Sequence, residues 1–197
     1  LTWSSNGTGS FDSTTSQNPV YTPSLGDVSS GSIQLTMTLQ QGGCATVSDV
    51  MDLTIVPEAT ANAGTDLTIC QGEEAIISSA GAQNYSSILW VVVTGSGTLQ
   101  NEATIAPTYV PDPNETGEVT LRLTASPNTD GVNNCGSPAT DTMKISIIAE
   151  PTANAGPNQT ICEGGNLPLV DPNITATNYN LLVWSTLGDG SFTNVNN

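Results

Sequence analysis

A twelve-residue segment occurs twice in the chain and constrains the fold more than any other feature. It reads ANAGTDLTICQG at residues 61–72 and ANAGPNQTICEG at 153–164, a separation of 92 positions. Two further pairs match: IQLTMTL (33–39) with VTLRLTA (119–125), and DVMDLTI (49–55) with DTMKISI (141–147). Their separations differ by a few residues, and the differences fall in Gly-, Asn- and Pro-rich stretches, where loops accept insertions. A period near 90 residues indicates a repeated domain rather than a short solenoid turn.

Alternating apolar residues predict strands within each repeat. Ile33, Leu35, Met37 and Leu39 alternate with polar residues, and the matching segment does the same at Val119, Leu121, Leu123 and Ala125. A period of two marks half-buried strands, whereas no apolar stripe of helical spacing is long enough to predict a helix. Several short strands in about 90 residues, separated by Gly, Pro and Asn, predict an all-β fold made of tandem Ig-like β-sandwich domains.

Proline residues place the predicted domain boundaries. Pro57 and Pro151 each precede the repeated segment, and proline ends a strand and stiffens a junction. We therefore predict the C-terminal part of one repeat at 1–56, a complete repeat at 57–149 and the N-terminal part of the next at 150–197. We expect the chain to be one section of a longer protein. Its three tryptophans recur at matching positions and are predicted to anchor the cores: Trp3, Trp90 and Trp184.

The charge balance excludes several classes of partner. Eighteen acidic residues face only Arg122 and Lys144, which gives a net charge of −16. Nucleic acids and anionic membrane surfaces both require clustered basic residues, so we predict neither as a partner. The longest strongly apolar run, residues 88–93, is far shorter than the ~20 residues that span a bilayer. We therefore expect that this segment does not insert into a membrane. From the excess of acidic residues we expect an acidic, well-solvated protein of the outer surface.

The absence of histidine argues against catalysis. Without it the chain offers no Ser-His-Asp or Cys-His relay, and no CxxC pair is present to begin a zinc site. Asp112 and Glu115 are an imaginable acid/base pair, but their surroundings, PDPNETGE, have a turn composition. We predict that the protein is not an enzyme and has no catalytic residues.

Calcium is the one cofactor that the acidic loops leave open. Asp112, Asn114, Glu115 and Asp130 could supply oxygen ligands, and calcium takes six to eight of them. Their spacing matches no EF-hand loop, and acidic loops usually face water. We therefore predict no resident cofactor and keep calcium as the alternative.

The four cysteines are predicted to form structural disulfides in an oxidising compartment: Cys44, Cys70, Cys135 and Cys162. One alternative is a Cys70–Cys135 bond within the complete repeat, which would contribute about 4 kcal/mol to stability. The other is a bond between the first cysteine of one repeat and the second cysteine of the following repeat. We favour the second, because the first strand and the last hairpin loop of a seven-stranded sandwich lie at opposite ends. Strands are ~17–20 Å long, whereas bridged Cα atoms lie within about 7 Å. Both pairings stay open at this point.

The segment PTANAGPNQTICEGG, followed by VWSTLGDGSF, resembles the opening of polycystic-kidney-disease (PKD) domains. This chain also contains the motifs TIC, NPVYTPS and DVMDLTI. With them it is similar to the PKD/Ig-like repeats of large Bacteroidota cell-surface adhesins, including those used in gliding motility. The likeness covers essentially the whole chain. The sequence departs from the PKD pattern at WVVVTGSG, which lacks GDG, and at Asn158, where Asp is usual.

The resemblance implies an extracellular, cell-surface stalk or filament whose partners are neighbouring repeats and other copies in a fibre. It also implies O-glycosylation at Ser13 and Thr142, which follow aspartates as that phylum's pattern requires. The alternative function is an adhesive module that binds carbohydrate or protein. Such a module needs exposed aromatic residues, and the sequence offers Tyr85 and Tyr179, which we expect to pack where a strand begins.

Overall fold

Short strands form nearly all of the regular structure. The computed structural model describes residues 1–128, 135–170 and 172–193. The first part of the chain forms five strands and one helix: β1 (Thr2–Ser5), β2 (Ser10–Phe11), β3 (Tyr21–Thr22), α1 (Leu25–Ser30), β4 (Ser32–Leu39) and β5 (Val47–Thr54). Strands β1, β4 and β5 form an antiparallel sheet in that order, and β2 pairs with β3.

Nine strands follow between residues 60 and 148: β6 (Thr60–Asn62), β7 (Leu67–Cys70), β8 (Ala75–Ile76), β9 (Gly81–Gln83), β10 (Tyr85–Thr94), β11 (Thr98–Gln100), β12 (Thr108–Val110), β13 (Gly117–Pro127) and β14 (Ala139–Ile148). They form a four-stranded sheet in the order β10-β13-β14-β7, a three-stranded sheet in the order β11-β12-β8, and the pair β6-β9. Strand β7 runs parallel to β14, with Leu67 opposite Ile145 and Cys70 opposite Ile148.

The core of this central region lies between its sheets, as in a β-sandwich. Its largest fully buried side chains include residues from both layers: Ile77, Trp90, Tyr109, Val119, Leu121, Leu123, Met143 and Ile145. The alternation predicted for 119–125 is confirmed, because all four apolar residues are at most 1% exposed. The predicted all-β sandwich is therefore what the chain forms.

The three tryptophans differ in burial. Trp90 is buried as predicted, whereas Trp3 and Trp184 are half-buried. Trp3 packs on Phe11, and Trp184 packs on Phe192, each pair with ring centroids 6.0 Å apart.

In the described residues after 150, β15 (Thr152–Ala155) and β16 (Ile174–Thr177) form one antiparallel pair. In the central region, the second half of the repeated segment forms the strand β7. The residues that match β7 in sequence, 159–162, form no strand. The division of the chain at residues 57 and 150 stays a prediction.

The described residues include one short helix, α1, which the sequence pattern does not predict. Its six residues are too few to show an apolar stripe, so periodicity could not reveal it. Local signals place it instead. The Ser24 side chain accepts from the Asp27 backbone, the Asp27 side chain accepts from the Ser24 backbone, and Gly31 ends the helix in the left-handed region at φ 72°.

Candidate functional site

A buried tyrosine and a glutamate hold two loops of the central region together. Tyr109, 0% exposed, donates its hydroxyl hydrogen to Glu115 Oε2 at 2.8 Å and accepts from the backbone N–H of Gly97 at 2.9 Å. Glu115 also accepts from the backbone N–H groups of Ser96 (2.6 Å) and Asp112 (3.3 Å). We call these five residues the central carboxylate cluster. It fixes the β10–β11 loop against the segment that follows β12.

The same arrangement recurs in the first part of the chain. The Tyr21 hydroxyl donates to Asp27 Oδ2 at 2.9 Å and accepts from Gly9 N–H at 3.1 Å. Asp27 also accepts from the backbone N–H groups of Thr8 (2.7 Å) and Ser24 (3.0 Å). We call these five residues the N-terminal carboxylate cluster. Its carboxylate is only 1% exposed, so every donor around it matters for stability.

Close packing explains why a Gly-x-Gly loop faces each tyrosine. A Cβ on Gly97 would lie 2.6 Å from the Tyr109 hydroxyl oxygen, and it would also overlap the Val110 carbonyl. A Cβ on Gly9 would lie 2.6 Å from both the Tyr21 hydroxyl and Asp27 Oδ2. Only glycine leaves room for the loop to approach so closely.

The hydrogen bonds set the ionisation of these groups. The backbone N–H groups of Ser24 and Thr8 lower the pKa of Asp27 to about 2. Burial, followed by the hydrogen bond to Glu115, raises the pKa of Tyr109 to about 12. Burial alone would raise the pKa of Glu115, but the donors Ser96, Tyr109 and Asp112 outweigh it and lower the pKa. At neutral pH Asp27 and Glu115 are therefore charged acceptors, and Tyr109 keeps its proton.

These clusters were not predicted from the sequence as functional sites. The sequence pointed to Asp112 and Glu115 as an acid/base pair, as turn residues or as calcium ligands, and it did not single out Asp27. The signal that could have revealed the clusters is a spacing: a tyrosine is followed six residues later by an acid at Tyr21–Asp27 and at Tyr109–Glu115.

The proposed calcium ligands are not gathered around an open position. Glu115 already accepts three hydrogen bonds from the protein, and Asp130 lies outside the described residues. Within residues 1–128, 135–170 and 172–193, no group of three or more His, Cys, Asp or Glu side chains could hold a metal ion. Calcium binding stays an untested prediction.

Matching hydrogen bonds mark the start of each repeated segment. Asn84 donates from its side chain to the Glu58 carbonyl at 3.1 Å, and Asn178 does the same to the Glu150 carbonyl at 3.1 Å. Gln71, just after β7, donates its backbone N–H to the Ile148 carbonyl at 2.8 Å. The end of β7 is thereby joined to the end of β14, two residues before Glu150.

All four cysteines are free thiols, and Cys70 and Cys135 lie at opposite ends of the four-stranded sheet. Cys70 pairs with Ile148 at the end of β14, whereas Cys135 precedes the start of that strand and donates its backbone N–H to the Asn128 carbonyl. The ten residues of β14 span about 30 Å at about 3.3 Å per residue. This distance is far beyond disulfide reach. Cys44 and Cys162 are exposed.

The two predicted O-glycosylation residues differ in their surroundings. Ser13 is half-buried in a loop, where its hydroxyl oxygen accepts from the Thr15 and Ser16 backbones at 3.4 and 3.2 Å. Thr142 is exposed on β14, opposite Arg122. Its preceding aspartate, Asp141, accepts from the Ala63 backbone at 2.8 Å.

The two tyrosines that an adhesive module would use are exposed. Tyr85 is 39% exposed and Tyr179 is 43% exposed. Each directly follows an asparagine, Asn84 or Asn178, whose side chain donates to the carbonyl of Glu58 or Glu150. No helix in the described part of the chain is long and apolar enough to cross a membrane.

No protein-family model and no curated protein matches the chain. Among solved structures it is similar to a nucleoside hydrolase-related hypothetical protein from Saccharophagus degradans, with 13% identity over 48% of this chain and 26% of that chain (TM-score 0.38). It is also similar to the PKD domain of the KIAA 1837 protein, with 16% identity over 51% and 93% of the two chains (TM-score 0.36). It is similar to mouse protocadherin-24 EC1-3 as well, with 12% identity over 78% of this chain and 57% of that chain (TM-score 0.46). The chain thus spans about a quarter of the first of these structures.

Proposed function

We propose that the chain is a structural section of a long extracellular stalk or filament, built from tandem β-sandwich repeats on a bacterial surface. The observation that carries the proposal is the repetition of the carboxylate clusters, with Tyr109–Glu115 in one repeat and Tyr21–Asp27 in the other. In both clusters the tyrosine hydroxyl and the carboxylate bind the backbone of loops in their own part of the chain. This is what a spacer needs, because each domain has to stay folded while the chain is extended.

The junction contacts support the same function. The Asn84–Glu58 and Asn178–Glu150 hydrogen bonds repeat at the start of successive units. Gln71 binds Ile148 and accepts from the Glu150 backbone at 3.3 Å. A short connection with contacts on both sides favours a stiff string of domains over freely jointed ones.

A disulfide between adjacent repeats would stiffen the string further. Cys70 lies at the end of the sheet from which the chain leaves towards Glu150. A Cβ on Gly136, next to Cys135, would lie 3.2 Å from Glu58, at the start of the repeat. Because Glu58 and Glu150 occupy matching positions, the counterpart of Cys135 in a following repeat would lie beside Cys70. We therefore propose this junction bond rather than a Cys70–Cys135 bond.

The finer assignment rests on the sequence resemblance. On that basis the protein is a Bacteroidota surface adhesin of the gliding-motility type, exported and O-glycosylated at Ser13 and Thr142. Its partners are neighbouring repeats, and we propose neither a catalytic activity nor a resident cofactor. A carbohydrate- or protein-binding module is the second candidate, favoured by the exposure of Tyr85 and Tyr179.

Electron microscopy of the native surface assembly tests the stalk. One strand length plus loops and junction is about 40 Å, so we expect beads at that axial spacing along a filament outside the cell. A protein confined to the cell interior would overturn the proposal. Tight binding of the chain on a glycan array, lost on Tyr85→Ala and Tyr179→Ala substitution, would favour the adhesive module instead.

A further inference from the structure

The two basic residues of the chain lie side by side on the outer face of the four-stranded sheet. Arg122 on β13 lies opposite Thr142 on β14, and Lys144 on β14 lies opposite Thr120 on β13. Both basic residues are exposed, whereas the residues on either side of each are buried. Lys144 forms an ion pair with Glu118 at 2.9 Å, and Arg122 makes no ion pair in the described part of the chain.

The edge strand of the same sheet, β10, places apolar side chains beside these charges. Val91 lies opposite Arg122, and Leu89 is the next residue of β10 on that face. Leu89 is 48% exposed although the residues on either side of it are buried. This face is open even though both layers of the central sandwich are present. We call Leu89, Val91, Arg122 and Lys144 the basic face.

The matching face in the first part of the chain is polar and acidic. At the four positions that match the basic face the residues are Thr2, Ser4, Thr36 and Asp52. Asp52 is exposed and accepts from the Gln34 side chain at 3.1 Å. We call Asp52, its neighbour Val50 on the same side of β5 and Thr36 the acidic face.

The acidic face is open for the same reason as the basic face. Val50 is 50% exposed, and it points away from the side of β5 that matches the core side of β14. The residues that match Val50 and Asp52 in the central region are Thr142 and Lys144, and both are exposed there. This side of the sheet therefore faces outward in a repeat that has both of its layers.

We propose that the basic face binds the acidic face of a second copy of this chain. Arg122 then pairs with Asp52 of the second copy, and Leu89 and Val91 cover its Val50. The spacings agree, because Val50 and Asp52 are two residues apart on one strand, about 6–7 Å. Val91 and Arg122 lie on neighbouring strands, about 5 Å apart. Charge identifies the occupant, since an unpaired cation fits a surface of opposite sign.

The negative charge of the two copies does not prevent this contact. Each copy carries a net charge of −16, but at 0.15 M salt exposed charges more than about 8 Å apart are largely screened. One exposed ion pair contributes little by itself, so a single contact is weak and repetition along tandem chains strengthens it. A stalk that is a single string of repeats needs no such contact, so lateral binding of copies goes beyond the proposed function.

Charge reversal in the 197-residue chain tests the contact by sedimentation velocity at physiological salt. We expect the unmodified chain to form larger species as its concentration rises. Arg122→Glu and Asp52→Arg each place like charges opposite one another and should weaken the association by about tenfold or more. The double variant reverses the pair and should associate like the unmodified chain, which neither a folding defect nor a change in net charge can explain.

Two matched controls separate the faces from general surface effects. Glu74→Arg changes the net charge as Asp52→Arg does, and the exposed Glu74 lies next to β8 in the other sheet; it should associate like the unmodified chain. Val91→Ser introduces the residue found at the matching position 4 and should weaken the association. Ile76→Ser removes an apolar residue that is 67% exposed on β8 and should have no effect.

Several results would overturn the proposal. They are an unmodified chain that stays monomeric at every concentration, a double variant no better than the single variants, and equal effects of Val91→Ser and Ile76→Ser. Binding of a polyuronate that is lost in Arg122→Glu, without self-association, would assign the basic face to an anionic polysaccharide instead. Circular dichroism and the unfolding transition of each variant show that the chain is still folded.

Discussion

The hydroxyl of Tyr109 donates to Glu115 Oε2 across 2.8 Å, and the two residues are six positions apart. The Tyr21–Asp27 pair has the same spacing and a 2.9 Å bond. In both pairs the tyrosine also accepts from a glycine of a distant loop. A buried charge is tolerated only when its acceptor positions are filled, so each cluster binds its loops in one arrangement.

The first prediction concerns the Tyr109 hydroxyl. Tyr109→Phe removes the hydrogen-bond donor to Glu115 and the acceptor for the Gly97 N–H, both in a partly buried setting. Leaving buried polar groups without partners costs about 1–3 kcal/mol each. We expect the free energy of unfolding, measured by urea denaturation, to fall by about that amount.

The matched control is Tyr85→Phe, because Tyr85 is 39% exposed and water can hydrate its surroundings. We expect a change within about 0.5 kcal/mol. Equal effects of the two substitutions would contradict a structural role for the Tyr109–Glu115 bond.

The second prediction is a loss of stability in acid. The pKa of Asp27 is lowered from 3.8 to about 2, and the pKa of Glu115 is lowered as well. A group whose pKa is lower in the folded state stabilises the fold above its unfolded pKa. That contribution is lost as the pH falls through the folded pKa. We expect the midpoint of thermal unfolding to fall between about pH 4 and pH 2.

Asp27→Asn is the control for this pH dependence. The amide cannot titrate, so the variant should be less stable at neutral pH and should lose less stability below pH 4. A variant that shows the same acid dependence as the unmodified chain would assign the effect to other carboxylates.

The third prediction concerns the closest approach in the central carboxylate cluster. Gly97→Ala places a Cβ 2.6 Å from the Tyr109 hydroxyl oxygen, and overpacking of this kind typically costs 1–3 kcal/mol. Gly81→Ala in β9 is the control, because a Cβ there has no atom within 4 Å. We expect urea denaturation to separate the two variants clearly, and an unchanged stability for Gly97→Ala would show that the loop can move away.

The sequence predicted those parts of the fold that depend on local patterns. The alternation of apolar residues over 119–125 predicted a strand and the face that it buries. The recurrence of tryptophan at matching positions predicted that Trp90 lies in the core. The parallel pairing of Leu67 with Ile145 joins residues 78 positions apart, and no local pattern contains such a register. The carboxylate clusters were missed for the same reason, because Asp27 accepts a hydrogen bond from the backbone of Thr8, 19 residues away, while the residues next to Asp27 in sequence have a turn composition.

The fourth prediction concerns calcium. Glu115 is surrounded by three donors, Ser96, Tyr109 and Asp112, and N–H and O–H donors occupy the positions that a cation would need. We expect EDTA to leave the midpoint of thermal unfolding unchanged, and added calcium to do the same. A rise on adding calcium that disappears in Asp112→Asn would show that the loop binds the ion despite these hydrogen bonds.

The last prediction concerns cysteine pairing. Because β14 separates Cys70 from Cys135 by about 30 Å, these residues cannot be bridged in the folded central region. We expect non-reducing peptide mapping of the folded, oxidised chain to show no Cys70–Cys135 peptide. In a longer tandem stretch we expect Cys70 to be linked to the second cysteine of the following repeat. Oxidation of the urea-unfolded chain is the control, because there the two thiols can meet. A Cys70–Cys135 peptide from the folded chain would contradict both the pairing of β7 with β14 and the junction bond inferred from it.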